Sequence, residues 1–439
     1  MMSPQISEHF KSRVPSPIRL AQLEFLKRDD GCTAINVAIG NVSLPMHPAM
    51  IERMNNLGAK GSPFEHGVVE YTSSLGTKEA NDAMLNIIAS SGFSTNGLYS
   101  QITDGGSSAM ELVVIGCCGQ PGSGQKPLLL IDPAYTNYVS FAQRLGRKTA
   151  TVKRKLGEDG TFEMPDFEQI EKVVEAQKPG AIVVIPYDNP TGQFLDMEQM
   201  LMIAKLCVKY DMWMISDEAY RELNYSGRKV ASVWGITNKE VEGIEGRRIS
   251  IETSSKVWNA CGLRVGGIVT DSKEFNEKAV AEYTANLCAN YIGQYIFGAL
   301  AHEKAEDLQK WYEKQRAYYK RIIVEASDEL KRLLPGVIIS RPDASIYSVI
   351  DVRNIAKENF DARDFVMWCT QKGKVDIDGK EMTLLVAPMA GFYDCTAGEK
   401  NPGKTQMRIA YVQPEKEMKL LPKLFCELFK QYNERGGSA

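Results

Sequence analysis

The sequence predicts an α/β fold, a mostly parallel sheet flanked by helices, joined to a smaller α+β domain. Three observations carry this. Short apolar runs recur through the middle of the chain, bounded by turn residues and separated by helix-length segments. Polar residues gather just past the ends of those runs. After about residue 300 the rhythm changes to a long charged helix and scattered short strands. The expected division is a large domain over 58–305 and a small one over 1–57 and 306–439.

Ile35-Asn36-Val37-Ala38-Ile39 reads as a short strand running into Gly40. Leu128-Leu129-Leu130-Ile131 is a bounded apolar run ending at Asp132-Pro133. Ala181 to Ile185 is followed by Asp188-Asn189-Pro190-Thr191-Gly192, and Trp213 to Ser216 by Asp217-Glu218. Arg248 to Ile251 leads into Thr253-Ser254-Ser255-Lys256, and Val265 to Thr270 comes next. Runs this apolar suit parallel strands covered on both faces. Glu303 to Leu334 is the long helix, with Trp311, Tyr312, Tyr318 and Tyr319 among its charges. Val337 to Ser340, Ile346 to Ile350 and Arg408 to Val412 are the later strands. Asp394 to Thr405, rich in glycine, lysine and threonine, reads as a mobile surface loop.

Composition narrows the function classes. A net charge of −3 and a pI near 6.0 argue against nucleic-acid or anionic-membrane partners. Nine dispersed cysteines, with no CxxC pair, read as free thiols in a reducing compartment. No metal-ligand spacing is visible. The first residues lack an apolar signal core and no 18-residue apolar run occurs later, so a cytoplasmic protein is expected. His66 and Cys395 read as bystanders, and His47 and His302 as surface residues.

Asn189, Asp217 and Lys256 each sit at or just past the carboxyl end of a strand, the edge where open α/β sheets bind ligands. Lys256 stands after three hydroxyl residues, and Arg264 is eight positions later. That pattern suits a Schiff-base lysine beside a phosphate gripped by hydroxyls and a guanidinium. Thr103-Asp104-Gly105-Gly106-Ser107-Ser108 opens a helix; it fits an anion site, and equally a plain serine N-cap. Tyr135 after a strand suits stacking on a flat ring, or packing in the core. Asn189-Pro190-Thr191-Gly192 is by itself a turn. Asp217 at a buried strand end needs a cationic partner, and a pyridinium nitrogen would be one.

With Gly40 ahead of them, the glycine/serine loop, P-x-Y at Pro133, N-P-x-G at Asn189, D-E-x-Y at Asp217, Thr253-Ser254-Ser255-Lys256 in the place of S-x-x-K, Arg264 and R-I-A at Arg408 follow in order over nearly the whole chain. The chain thereby resembles the fold-type I pyridoxal-phosphate enzymes of the class I/II aminotransferase family. The resemblance implies a seven-stranded-type sheet and a pyridoxal 5'-phosphate cofactor. Lys256 would form the internal aldimine and shuttle the α-proton, Asp217 would hold the pyridine nitrogen protonated, and Asn189 and Tyr220 would bond the ring's phenolic oxygen. Tyr135 would stack on the ring. The phosphate would meet Gly105, Gly106, Ser107, Thr253, Ser255 or Ser254, and Arg264. Arg408 would bind the substrate α-carboxylate, with Gly40 close to it and Asn189 beside it. Tyr71 matches a tyrosine that reaches the neighbouring subunit's phosphate, which implies a homodimer with shared active sites.

The reaction the resemblance implies is ping-pong transamination between an α-amino acid and a 2-oxo acid. The alternatives on the same constellation are a C–S or β-eliminating lyase and a non-catalytic cofactor-binding sensor. Ser107 stands where some aspartate-specific relatives carry lysine, and Asn286 to Gln294 contains no cation. Aspartate-type recognition is therefore not expected, unless an arginine from elsewhere substitutes. Pro342 to Tyr347 and Pro388 to Tyr393 also depart from the family pattern and are expected to line the side-chain pocket.

Overall fold

A computed structural model describes residues 4–122, 124–395 and 398–435. Its centre is a seven-stranded sheet in the order Tyr99–Thr103, Gly266–Thr270, Arg248–Thr253, Trp213–Asp217, Ala181–Val184, Leu128–Asp132, Thr149–Lys153. Gly266–Thr270 runs antiparallel to both neighbours, and every other pairing is parallel. Its apolar run predicts a parallel strand, so the direction is the reverse of the expected one. It returns straight from Arg248–Thr253 through the lysine segment with no crossover helix, and parallel strands need one.

Side chains along each central strand alternate between two cores. Leu128, Leu130, Ala181, Val183, Ile249 and Ile251 pack with the helices Gly105–Cys118 and Lys273–Tyr283. Leu129, Ile131, Ile182, Val184 and Met214 pack with Phe167–Gln177 and Met197–Lys209 on the other face. Double coverage is why these runs are apolar without alternation. The two latter helices start at capping boxes, Asp166 with Gln169 and Asp196 with Gln199, which occupy otherwise orphaned N–H groups.

The remaining strands form smaller sheets. Tyr347–Asp351 pairs antiparallel with Ile338–Ile339 and with Gln406–Ala410, which also takes Ala387–Pro388. Thr33–Asn36 lies parallel to Lys380–Leu385, tying the N-terminal segment to the C-terminal third of the chain. The helix Ala305–Leu333 buries Leu308, Trp311, Tyr312, Gln315, Tyr319, Ile322 and Ile323, a stripe at helical spacing.

Two expectations change. His47 is buried, not superficial: its Nδ1 accepts from the Ala49 N–H, and Trp311 and Trp258 pack edge-on against its ring. Burial lowers its pKa to about 4, so it is neutral. His302 is exposed, beside Glu79. The stretch expected as a mobile surface loop is partly packed, because Pro402–Thr405 forms a 3₁₀ turn whose Gly403 is buried against the Met389-Ala390 backbone. Thr396 and Ala397 of that stretch lie outside the described residues.

Candidate functional site

Parallel strands present their carboxyl ends at one sheet edge, and there a cavity of about 670 Å³ opens. Every site residue named from the sequence lines it except Gly105, Ser254 and Tyr71. Gly105 adjoins the lining residues Gly106 and Arg264. Tyr71 is 80% exposed and lies outside its own chain's cavity.

The anion-binding features converge at one end. Tyr99–Thr103 delivers the chain into the helix Gly105–Cys118, so its first free N–H groups and positive dipole end point into the site. Arg264 lies across that turn: a Cβ on Gly105 would come within 2.3 Å of its Nη2, and φ of +76° already favours glycine there. The Thr253 and Ser255 hydroxyls, 2.8 Å apart, line the same end. Ser254 turns inward instead, donating to the carbonyls of Ala260 and Val265. Hydroxyls, a guanidinium and a helix N-terminus together form a donor set suited to a phosphate dianion.

Asp217, at the end of Trp213–Asp217, accepts hydrogen bonds from the Tyr138 hydroxyl and from the Ala219 N–H at 3.1 Å. Burial holds its pKa above the ordinary value, and no Lys or Arg forms an ion pair with it among the described residues. A cationic ligand group would supply the counter-charge such a carboxylate lacks. Tyr135 lines the cavity with its hydroxyl accepting from Asn137 Nδ2 at 2.7 Å. The Tyr220 hydroxyl lies 3.0 Å from that of Tyr347.

Lys256 donates to the Gly40 carbonyl at 2.5 Å, with Cys261 Sγ 3.9 Å from Nζ. A Cβ on Gly40 would stand 2.2 Å from the Tyr347 hydroxyl oxygen and 3.2 Å from Nζ, so only glycine fits between them. Arg408 is buried with no carboxylate beside it among the described residues. It donates to Asn189 Oδ1 at 2.8 Å and to the Ala38 carbonyl at 2.7 Å, leaving Nε unpartnered. The Tyr347 and Phe392 rings lie 4.5 and 5.1 Å from its Cζ. A buried guanidinium so held is ready for a small carboxylate.

Several functional neighbours escaped sequence reasoning. Tyr138, three residues past Tyr135, carries no local signal for its bond to Asp217. Arg154 pairs with Asp188 at 2.9 Å, both buried, and also donates to the Pro133 carbonyl at 2.7 Å. It thus ties the turn carrying Tyr135 to the turn carrying Asn189. Arg221 bridges Glu218 at 2.6 Å and Glu252 at 2.7 Å beneath the Asp217 strand end. Helix Pro17–Phe25, with its cap Ser16, contributes Ile18, Arg19 and Gln22 to the cavity mouth.

A family model described as Aminotransferase class I and II matches residues 33–378. An aspartate aminotransferase of Musicola paradisiaca is 23% identical over 342 residues, covering 74% of this chain and 78% of its own. A cystathionine beta-lyase of Bacillus subtilis is 22% identical over 318 residues, covering 72% and 77%. Among solved structures, the N-succinyldiaminopimelate aminotransferase of Mycobacterium tuberculosis superposes with a TM-score of 0.79 at 18% identity, over 97% of this chain and 100% of that one.

Proposed function

The chain belongs to the class I and II aminotransferase family, and from that membership we propose how its own residues carry out amino-group transfer between an α-amino acid and a 2-oxo acid. Pyridoxal 5'-phosphate, when bound, supplies an electron sink for the charge left when an α-proton departs. The residues that would hold it are Gly105, Gly106, Ser107, Thr253, Ser255 and Arg264 at the phosphate, Tyr135 at the ring face, Asp217 at the ring nitrogen, and Asn189 and Tyr220 at the ring oxygen. Tyr71 would reach the same phosphate from the partner of a homodimer. On this reading 58–305 is the cofactor-binding domain, 1–57 with 306–439 is the smaller one, and the protein is cytoplasmic.

The observation that supports this reading most is the pairing of Lys256 with Arg408 across one cavity. Arg408 binds the amino acid's α-carboxylate and exchanges its Ala38 bond for a stronger, charge-assisted one. That places the α-carbon near Lys256. Lys256 Nζ takes up the α-proton as a general base and gives it back as a general acid. Tyr347 and Phe392, packed against the guanidinium, keep water from competing for it.

The lyase reading rests on the cystathionine beta-lyase relative, since the same groups serve removal of an α-proton followed by loss of a β-substituent. Product analysis separates the two. With the loaded protein, one amino acid and no acceptor, transamination releases one 2-oxo acid per subunit, stops, and frees no ammonia. Continued release of ammonia with pyruvate from a β-substituted amino acid would overturn transamination in favour of elimination. Neither product from any amino acid would overturn both and leave the sensor reading.

A further inference from the structure

Four cations line the cavity, Arg19, Lys256, Arg264 and Arg408, against a single carboxylate, Asp217. Amino-group transfer employs three of the four. Arg19 is the remainder, and it comes from the helix Pro17–Phe25, far in sequence from every other site segment. Ser16, Arg19 and Gln22, at intervals of three, turn one face of that helix towards the cavity.

Two contacts fix where this face lies. Ile18 packs against the cluster containing Met389, Phe392 and Tyr393. Phe392 in turn lies 5.1 Å from the Arg408 guanidinium carbon. Through Ile18 and Phe392 the helix carrying Arg19 is tied to the Arg408 side of the cavity that both arginines line. One Nη of Arg19 donates to Gln22 Oε1 at 2.8 Å. No carboxylate is its partner among the described residues, and the side chain is exposed. A guanidinium propped by a neutral amide and pointed at a cavity keeps its other donors for an anion.

We propose that Arg19 is a specificity-determining residue that recognises a second carboxylate, on the side chain of the amino donor or of the 2-oxo acid acceptor. The inference rests on the reading of Arg408 as the α-carboxylate site. It supplies the cation that neither Ser107 nor the segment 286–294 provides, from a helix whose position the sequence did not disclose.

The test compares wild type, Arg19→Gln and Arg19→Lys in the cofactor-loaded protein, with aspartate, glutamate and alanine as donors and with succinate and propionate as non-reacting ligands. Arg19→Gln lowers kcat/KM for aspartate or glutamate about 10- to 100-fold and weakens succinate binding by a similar factor, the range for losing one charge-assisted bond. Alanine turnover and propionate binding stay within about twofold, and Arg19→Lys recovers part of the loss. An equal loss for alanine, or no loss for either dicarboxylate, overturns the proposal. So does wild-type succinate binding no tighter than propionate. Should the wild type transfer amino groups from no donor, the functional reading fails, while the succinate titration still decides Arg19.

Discussion

The Gly40 carbonyl holds the Lys256 ammonium at 2.5 Å, and the α-carbon of the same glycine faces the Tyr347 hydroxyl so closely that a methyl group would stand 2.2 Å from it. A segment near the N-terminus therefore sets both the position of the amine and the space in front of it.

Gly40→Ala is expected to push Tyr347 or Lys256 aside. Tyr347 is a rigid ring, buried and hydrogen-bonded to Tyr220, so it cannot yield cheaply. Overpacking of this kind costs about 1–3 kcal/mol of stability, and misplacing a reacting group by an ångström costs about 100-fold in rate. Adding Tyr347→Phe removes the clashing oxygen and is expected to restore part of the stability. Melting curves and kcat/KM of the single and double variants check this.

Asp217→Asn retains the shape at the strand end and removes the charge. Burial makes that charge unfavourable in the cofactor-free protein, so the variant is expected to melt higher than wild type without cofactor at neutral pH. With cofactor the order reverses in function: kcat is expected to fall about 100- to 1000-fold, the usual loss for one preorganised electrostatic partner. Opposite signs in the two measurements are the signature of a carboxylate kept for a ligand cation.

Asp132 provides a pH dependence. It is buried at the end of the strand Leu128–Asp132, and its Oδ2 accepts from the Asp394 N–H at 2.7 Å. Burial raises its pKa from the ordinary 3.8 to about 6. A raised carboxyl pKa means the folded state binds the proton more tightly. Its contribution is thus fully present below about pH 4 and lost as pH rises through 6. The difference is worth up to about 3 kcal/mol. Asp132→Asn is therefore expected to match wild type near pH 4 and to melt higher at pH 7.5. Equal melting at both values would contradict it.

Arg154→Met strands the buried Asp188 carboxylate and is expected to cost about 3–5 kcal/mol. Arg154→Met with Asp188→Leu removes the uncompensated charge and is expected to regain much of that. The double variant still lacks the link between the Pro133 and Asp188 turns. Its cofactor affinity is expected to stay low while its stability recovers, a separation a purely structural pair would not produce.

Much of the architecture was legible because burial on two faces writes apolar runs into the strands, and turn residues mark their ends. Leu128–Asp132, Ala181–Val184 and Trp213–Asp217 are of this kind. The two edge strands were not legible. Thr149–Lys153 alternates in burial, and Tyr99–Thr103 buries Ser100, which donates to Asn81. Neither presents an apolar run. Lys256, Asp217 and Asn189 stood out since strand direction alone gathers them. Tyr138 and Arg154 did not, because each acts through a contact with a segment distant in the chain, and Arg19 did not, because only the packed topology brings its helix to the cavity. His47 failed for a related reason: a polar residue beside a proline reads as surface until Trp258 and Trp311 close over it.

The central claim is that Lys256 is the amine that meets the aldehyde of pyridoxal 5'-phosphate. Borohydride treatment of the cofactor-loaded protein, followed by peptide mass spectrometry, tests it without relying on activity. The account predicts a phosphopyridoxyl group fixed on the peptide containing Lys256, one per subunit, and none fixed in Lys256→Ala. Attachment at another lysine, or no attachment in a wild type saturated with cofactor, would contradict it.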